Sequence, residues 1–133
     1  MVIRPCCGPV CINFLTYKMK KQTYQYGVES ESAAISFLEN KGYKIISSRY
    51  KTKLGEIDIV AETASTLVFI EVKARKGREL IETILRRSQV NRIRNAAQIF
   101  LVKNSKYQNH DIRFDFILFE QNLEPQHFEA FFE

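Results

Sequence analysis

All three cysteines of the chain, Cys6, Cys7 and Cys11, fall within its first dozen residues, and none follows them. A disulfide scaffold is therefore excluded for the body of the protein. The run Cys-Cys-Gly-Pro-Val-Cys has no fourth cysteine and no histidine nearby, so it lacks the spacing of a zinc site. No apolar run approaches the roughly 20 residues that span a bilayer as a helix. Residues 1–18 also make a poor signal peptide, because Pro5 and Pro9 break the apolar stretch and no small-residue cleavage site follows. There is no internal repeat, no glycine-rich phosphate loop and no Ser-His-Asp order, and His110 has no partner at metal-ligand spacing.

What is present suits one globular domain. The chain has 133 residues, of which 45% are hydrophobic, enough for a single core. A formal net charge of +5 and a pI near 9.2 favour a polyanionic partner, although acidic membranes attract basic proteins too. Met19 opens a lysine-rich and more ordinary beginning. The expectation is an extension over residues 1–18, disordered or not native, followed by one domain over 19–133. The mass of the natural amino-terminal peptide checks that expectation.

The most informative stretch runs from Gly55 to Lys73. Ile57, Ile59 and Ala61 alternate with Glu56, Asp58 and Val60, and Val68, Ile70 and Val72 alternate with Phe69, Glu71 and Lys73. That period of two predicts a pair of half-buried strands. If the hairpin closes about Ala64 and Ser65, Val60 pairs with Phe69, Asp58 with Glu71 and Glu56 with Lys73. Directly opposed like charges destabilise a sheet unless one carboxyl takes a proton or a cation sits between them. A hard ion such as magnesium is bound by carboxylate oxygens. Lys73 shares a face with Glu71, where an ammonium could pair with Glu56 or orient a water. The plainer reading of the same pattern is a solvated sheet face.

Around this hairpin the pattern predicts a helix over Tyr24–Asn40, a strand over Tyr43–Ile46, a polar and basic link over Ser47–Leu54, a second helix over Arg86–Val102 and a strand over Ile112–Phe119. Gly55 is expected to permit a bend or a close backbone approach. Glu31 lies within the apolar stripe of the first helix, where an ionised group needs a partner. That partner is either a basic side chain at the rim or a cation shared with the hairpin acids. Gln89 falls at the edge of the second helix's inward stripe, with Val90, Ile93, Ala97, Phe100 and Leu101 inward. After the hairpin comes a basic zone of Lys73, Arg75, Lys76, Arg78, Arg86, Arg87, Arg92 and Arg94 against Glu79 and Glu82 alone. A solvated face explains most charge runs, but this one begins where the carboxylates end, and arginine forks grip phosphodiesters. Arg113 and Asp115 are expected to form structural ion pairs, and the tail aromatics from His127 to Phe132 to pack on the sheet or on a partner.

Gly27-x-x-x-Glu31, Gly42-Tyr43, Gly55-Glu56-Ile57-Asp58-Ile59-Val60, Val68-Phe69-Ile70-Glu71-Val72-Lys73-x-Arg75, Ala96-Ala97 and Arg113-Phe114-Asp115 resemble the YraN family of bacterial proteins, within the PD-(D/E)xK nuclease superfamily. The resemblance covers about residues 24–132. It implies an α/β, restriction-endonuclease-like three-layer core of order α-β-β-β-α-β, a mixed sheet flanked by helices. It implies Mg2+ (or Mn2+) as cofactor, with Asp58, Glu71 and Glu31 as ligands and the Val72 carbonyl as a further one. Lys73 would position the attacking water, and Gln89 resembles the helix glutamine of some nuclease branches. Ile57 stands where the superfamily has its nominal proline.

The function expected is a metal-dependent nuclease with Glu31, Asp58, Glu71, Lys73 and Gln89 as its catalytic set. Arg75, Lys76, Arg78, Arg86, Arg87 and Arg92 would bind nucleic acid, DNA in the first instance, in the bacterial cytoplasm and not at a membrane; a homodimer is left open. The alternative is a non-catalytic nucleic-acid-binding protein using the same basic surface. A protein-interaction adaptor working through the phenylalanine-rich tail has the least behind it.

Overall fold

Three strands open the sheet. Strand β1 (Lys44–Lys51) pairs antiparallel with β2 (Glu56–Thr63), which turns at Ala64 and Ser65 into β3 (Thr66–Arg75). A computed structural model describes residues 29–75, 84–120 and 124–133. The 1–18 extension with its cysteines, the expected first turn over residues 24–28, and Lys76 and Arg78 lie outside the described residues. Helix α1 covers residues 29–40, and α2 is Arg87–Lys103. Strand β4 (Asp111–Glu120) lies parallel to β3, and β5 (Gln126–Phe132) closes the edge antiparallel to β4. The five-stranded mixed sheet runs in the order β1-β2-β3-β4-β5. Among the described residues the order is α-β-β-β-α-β-β, consistent with a restriction-endonuclease-like core.

Alternation along β3 sends its side chains to opposite faces, and both faces are covered. Val68, Ile70 and Val72 join Ile59, Ala61 and Ile117 under Ala34 and Leu38 of α1. Leu67 and Phe69 join Val60, Phe116 and Leu118 under Ile93, Ala96, Ala97 and Phe100 of α2. Burial on both faces explains why β3 reads as an almost continuous apolar run, the pattern of a strand covered on both sides. No helix among the described residues is long and apolar enough to cross a membrane.

The sequence pattern is corrected in four places. Strand β1 continues through Ser47–Lys51, read above as a link, because its backbone pairs with β2 whatever its side chains are. The tail forms a fifth strand, its aromatics packing on the sheet: Phe131 stacks on Phe116 at 5.0 Å and Phe132 on Phe114 at 5.2 Å. Ile57 and Ile59 do not share a face, since Ile57 belongs to the α2 core and Ile59 to the α1 core. The change of face falls at the residue between them, Asp58. Across from Asp58, between the pairs Ser48–Ile59 and Tyr50–Ile57, stands Arg49 with a left-handed φ of 52°. Finally, β2 and β3 pair from Thr63–Thr66 to Ile59–Ile70, with Val60 opposite Phe69 as expected; the ladder stops there, short of Asp58–Glu71 and Glu56–Lys73.

Arg113 and Asp115 tie the far side of the sheet together. Asp115 is fully buried and accepts from both Nε and Nη2 of Arg113 at 2.8 Å, from His127 Nε2 at 2.8 Å and from the Ala130 N–H at 2.9 Å. Arg113 also donates to the Tyr43 hydroxyl at 2.7 Å. The Lys41 ammonium lies 2.8 Å from His127 Nδ1, so that nitrogen accepts and Nε2 donates to Asp115. Burial works against the Asp115 charge, yet the His127, Arg113 and Ala130 donors outweigh it and hold the carboxyl below its usual range. Strand β5 is thereby bonded to β4 and to the end of α1.

Candidate functional site

Asp58 and Glu71 leave the edge of the β2–β3 ladder side by side. Because regular pairing ends at Ile59–Ile70, the N–H of Val72 is not committed to β2 backbone and donates instead to Asp58 Oδ2 at 2.8 Å. The two carboxyls lie close enough that each perturbs the titration of the other. Glu71 is 5% exposed. Desolvation and then the neighbouring Asp58 charge push its carboxyl up to about 8, against the opposing pull of Lys73. Burial likewise raises Asp58, partly offset by the Val72 N–H. Near neutral pH the pair therefore retains a proton that free carboxyls would have lost.

Two further side chains converge on the same glutamate. Lys73 Nζ lies 3.0 Å from Glu71 Oε1, and Gln89 Nε2 donates to that oxygen at 3.2 Å. Gln89 comes from the first turn of α2, whose position is set by Gly55. A Cβ at Gly55 would lie 2.0 Å from the backbone oxygen of Arg92, so only glycine lets the helix approach the start of β2 this closely. The close approach expected at Gly55 is thus toward α2. Glu56, read above as a partner for Lys73, pairs instead beside Lys51 and faces a cavity under α2.

Glu31 is placed differently from its fellow acids. Its Oε2 accepts from Arg49 Nε at 2.6 Å, the basic-partner alternative. It remains close enough to raise Asp58 electrostatically. Among the described residues no group of three or more His, Cys, Asp or Glu side chains assembles that could hold a metal ion. Asp58 and Glu71 alone supply paired carboxyl oxygens, a donor set that a hard divalent ion accepts when water completes its shell. The retained proton occupies the place in the charge balance that such an ion would take.

The basic zone divides on inspection. Arg75 is only 18% exposed and its guanidinium is ion-paired to Glu120, clamping the ends of β3 and β4. Arg86, Arg87 and Arg92 are exposed and make no ion pair among the described residues. Sequence reasoning missed Arg49 as the partner of Glu31, and it missed His127 as a partner of Asp115. Neither pair has a signature in spacing, since each forms only through strand register.

Comparison with known proteins places the chain among relatives. The sequence model described as "Uncharacterised protein family UPF0102" matches residues 30–119, a span that contains every one of Glu31, Asp58, Glu71, Lys73 and Gln89. The chain belongs to family UPF0102. A UPF0102 protein of Rhodopseudomonas palustris strain BisB5 is 40% identical over 110 residues, covering 83% of this chain and 84% of its own. One from Nitrobacter winogradskyi is 36% identical over 115 residues, 86% and 98% of the two chains. Another, from Bartonella bacilliformis, is 35% identical over 116 residues, 87% and 95%. These bacterial UPF0102 proteins match in length as well as in sequence, so the domain described here makes up most of each.

Proposed function

We propose that this UPF0102 chain is a metal-dependent phosphodiester hydrolase acting on nucleic acid, DNA in the first instance, in the bacterial cytoplasm. The observation that carries the reading is the Asp58–Glu71 pair: two adjacent carboxyls, that of Glu71 buried, with the Lys73 ammonium 3.0 Å from Glu71 Oε1. Packing alone gives no reason to bury two adjacent carboxyls, since each costs free energy in a dry setting unless it is protonated, paired or bound to a cation. Perturbed, mutually interacting carboxyls where a ladder ends are candidates for chemistry.

Asp58 and Glu71 would hold Mg2+ or Mn2+, which supplies positive charge to a phosphate and acidifies water. The chain's own groups do the rest. The Val72 N–H fixes the rotamer of Asp58, and Gln89 fixes that of Glu71, so both carboxylates are aimed before substrate arrives. Lys73 places a cation beside the reacting phosphate, where it stabilises charge that grows in the transition state and can orient a water. Arg86, Arg87 and Arg92 offer exposed forks for backbone phosphates. Glu31 joins the acids only by giving up Arg49.

The test is cleavage of labelled single-stranded, branched and duplex DNA and RNA with Mg2+ or Mn2+ by the wild type and by Asp58→Ala and Glu71→Ala. Turnover should vanish in both variants while nucleic-acid binding persists; undiminished cleavage by both refutes the assignment. A second reading, non-catalytic nucleic-acid binding through the same surface, is favoured by the engagement of Glu31 with Arg49. It requires binding that salt reduces steeply and that magnesium does not promote.

A further inference from the structure

A cavity of about 360 Å³ opens directly against Glu71, on the α2 side of the sheet. Glu56 and Glu71 form one wall; Arg86, Ser88, Gln89 and Arg92 of the first turns of α2 form the other. Gly55 holds the two walls at a fixed spacing by its contact with the Arg92 backbone.

The charge on the helical wall is unusual. The N-terminal end of a helix carries partial positive charge and ordinarily recruits acidic side chains. Helix α2 has no acidic residue in its first turn and no side-chain cap at Arg86, and it adds Arg86, Arg87 and Arg92 to that end. Arg86 and Arg92 find no carboxylate in an ion pair among the described residues, although Glu56 lies in the same cavity. Three features thus coincide in one concavity: two guanidinium groups with no ion-pair partner among the described residues, hydroxyl and amide donors from Ser88 and Gln89, and a common wall with Glu71. The volume lies at the small end of ligand pockets. It has room for a phosphate with its sugar and not for a duplex.

We propose that this cavity seats one nucleotide unit of a nucleic-acid strand, its phosphate between Arg86 and Arg92, one step along the backbone from the phosphate presented to Asp58 and Glu71. The assignment rests on the hydrolase reading for its register, but the binding event does not need catalysis. It makes the bound strand locally single, since the unit must leave a partner strand to enter. Ser88 and Gln89 add hydrogen-bond donors to the phosphate or sugar, and Glu56 faces the unit from the opposite wall.

The experiment is fluorescence anisotropy of a labelled single-stranded DNA pentanucleotide in EDTA, where no hydrolysis intervenes. The wild type is compared with Arg86→Gln, Arg92→Gln and, as a surface-charge control at the far end of α2, Lys103→Gln; circular dichroism confirms folding of each. Arg86→Gln and Arg92→Gln should each weaken binding about tenfold or more, as expected for a lost charge-assisted hydrogen bond, and Lys103→Gln by about twofold or less. Replacing one linkage at a time by an uncharged methylphosphonate should identify a single position at which the arginine variants cost nothing further. Arginine effects no larger than that of Lys103→Gln, or no binding by the wild type, overturn the proposal. Competition by inorganic phosphate at the oligonucleotide's own affinity also overturns it, in favour of a small-anion site. Cleavage with Mg2+ is scored separately: the arginine effects without any cleavage leave the subsite standing and remove the hydrolase, whereas cleavage without the arginine effects does the reverse.

Discussion

The N–H of Val72 donates to Oδ2 of Asp58 at 2.8 Å, across the point where the β2–β3 ladder ends. A backbone donor that would otherwise extend the sheet is diverted to hold a carboxylate. That single substitution of a side chain for a carbonyl turns the end of a hairpin into a site, and it places Asp58 against Glu71.

The pair makes stability depend on pH in a defined direction. Glu71 titrates at about 8 in the fold, against an ordinary value of 4.5. The folded state therefore binds more protons than the unfolded state between those values, and its stability is full below the lower and lost as pH rises through the upper. The melting temperature should fall from pH 5 to pH 8 in EDTA. Glu71→Gln should remove most of that slope and melt higher than the wild type at pH 8. Equal slopes in the two proteins would sink the account.

Magnesium or manganese should raise the melting temperature more at pH 8 than at pH 5.5, because the ion and the retained proton compete for the same oxygens. Asp58→Ala should abolish the increment. A shift of equal size at both pH values, or one that survives in Asp58→Ala, would place the metal elsewhere. Differential scanning fluorimetry is sufficient to read it.

Lys73→Gln should lower kcat about a hundredfold or more with little change in KM, as expected for a cation that acts mainly on transition-state charge. Its Nζ touches Glu71, so Lys73→Gln should also raise the Glu71 titration further, visible as an alkaline shift in the stability profile. An effect confined to KM would instead make Lys73 a substrate-binding residue.

Gly55→Ala drives a methyl into the Arg92 carbonyl, with no flexible side chain to yield. Overpacking of this kind costs about 1–3 kcal/mol. Helix α2 must move away from β2, and with it Gln89 from Glu71. Chemical denaturation should show the loss, and pentanucleotide binding should weaken with it; a variant as stable as the wild type contradicts the close approach.

Asp115→Ala should cost more than any of these, about 3–5 kcal/mol, since it removes the buried acceptor of Arg113, His127 and the Ala130 N–H together. Its carboxyl is held below the ordinary 3.8, so its contribution is complete above that value and is lost only as pH falls beneath it. Acid unfolding of Asp115→Asn should accordingly be flatter below pH 4 than that of the wild type.

By itself the sequence determined what is local and periodic. Alternation over Glu56–Thr63 and Thr66–Arg75 defines the hairpin, and the helical repeat of Val90, Ile93, Ala97 and Phe100 defines the inward face of α2; within those segments the neighbourhood of Glu71 and Lys73 follows from a period of two. Everything that depends on how distant segments meet was decided by the tertiary structure. Arg49, left-handed in β1 and across from Asp58, meets Glu31 of α1, and Ile57 and Ile59 fall in opposite cores. Gln89 reaches Glu71 because Gly55 admits α2. His127 reaches Asp115 because β5, a strand whose sequence shows no clean alternation, bulges at Ala130. Such contacts are set by strand register and helix approach, which sum small preferences over the whole core, so no residue spacing along the chain encodes them.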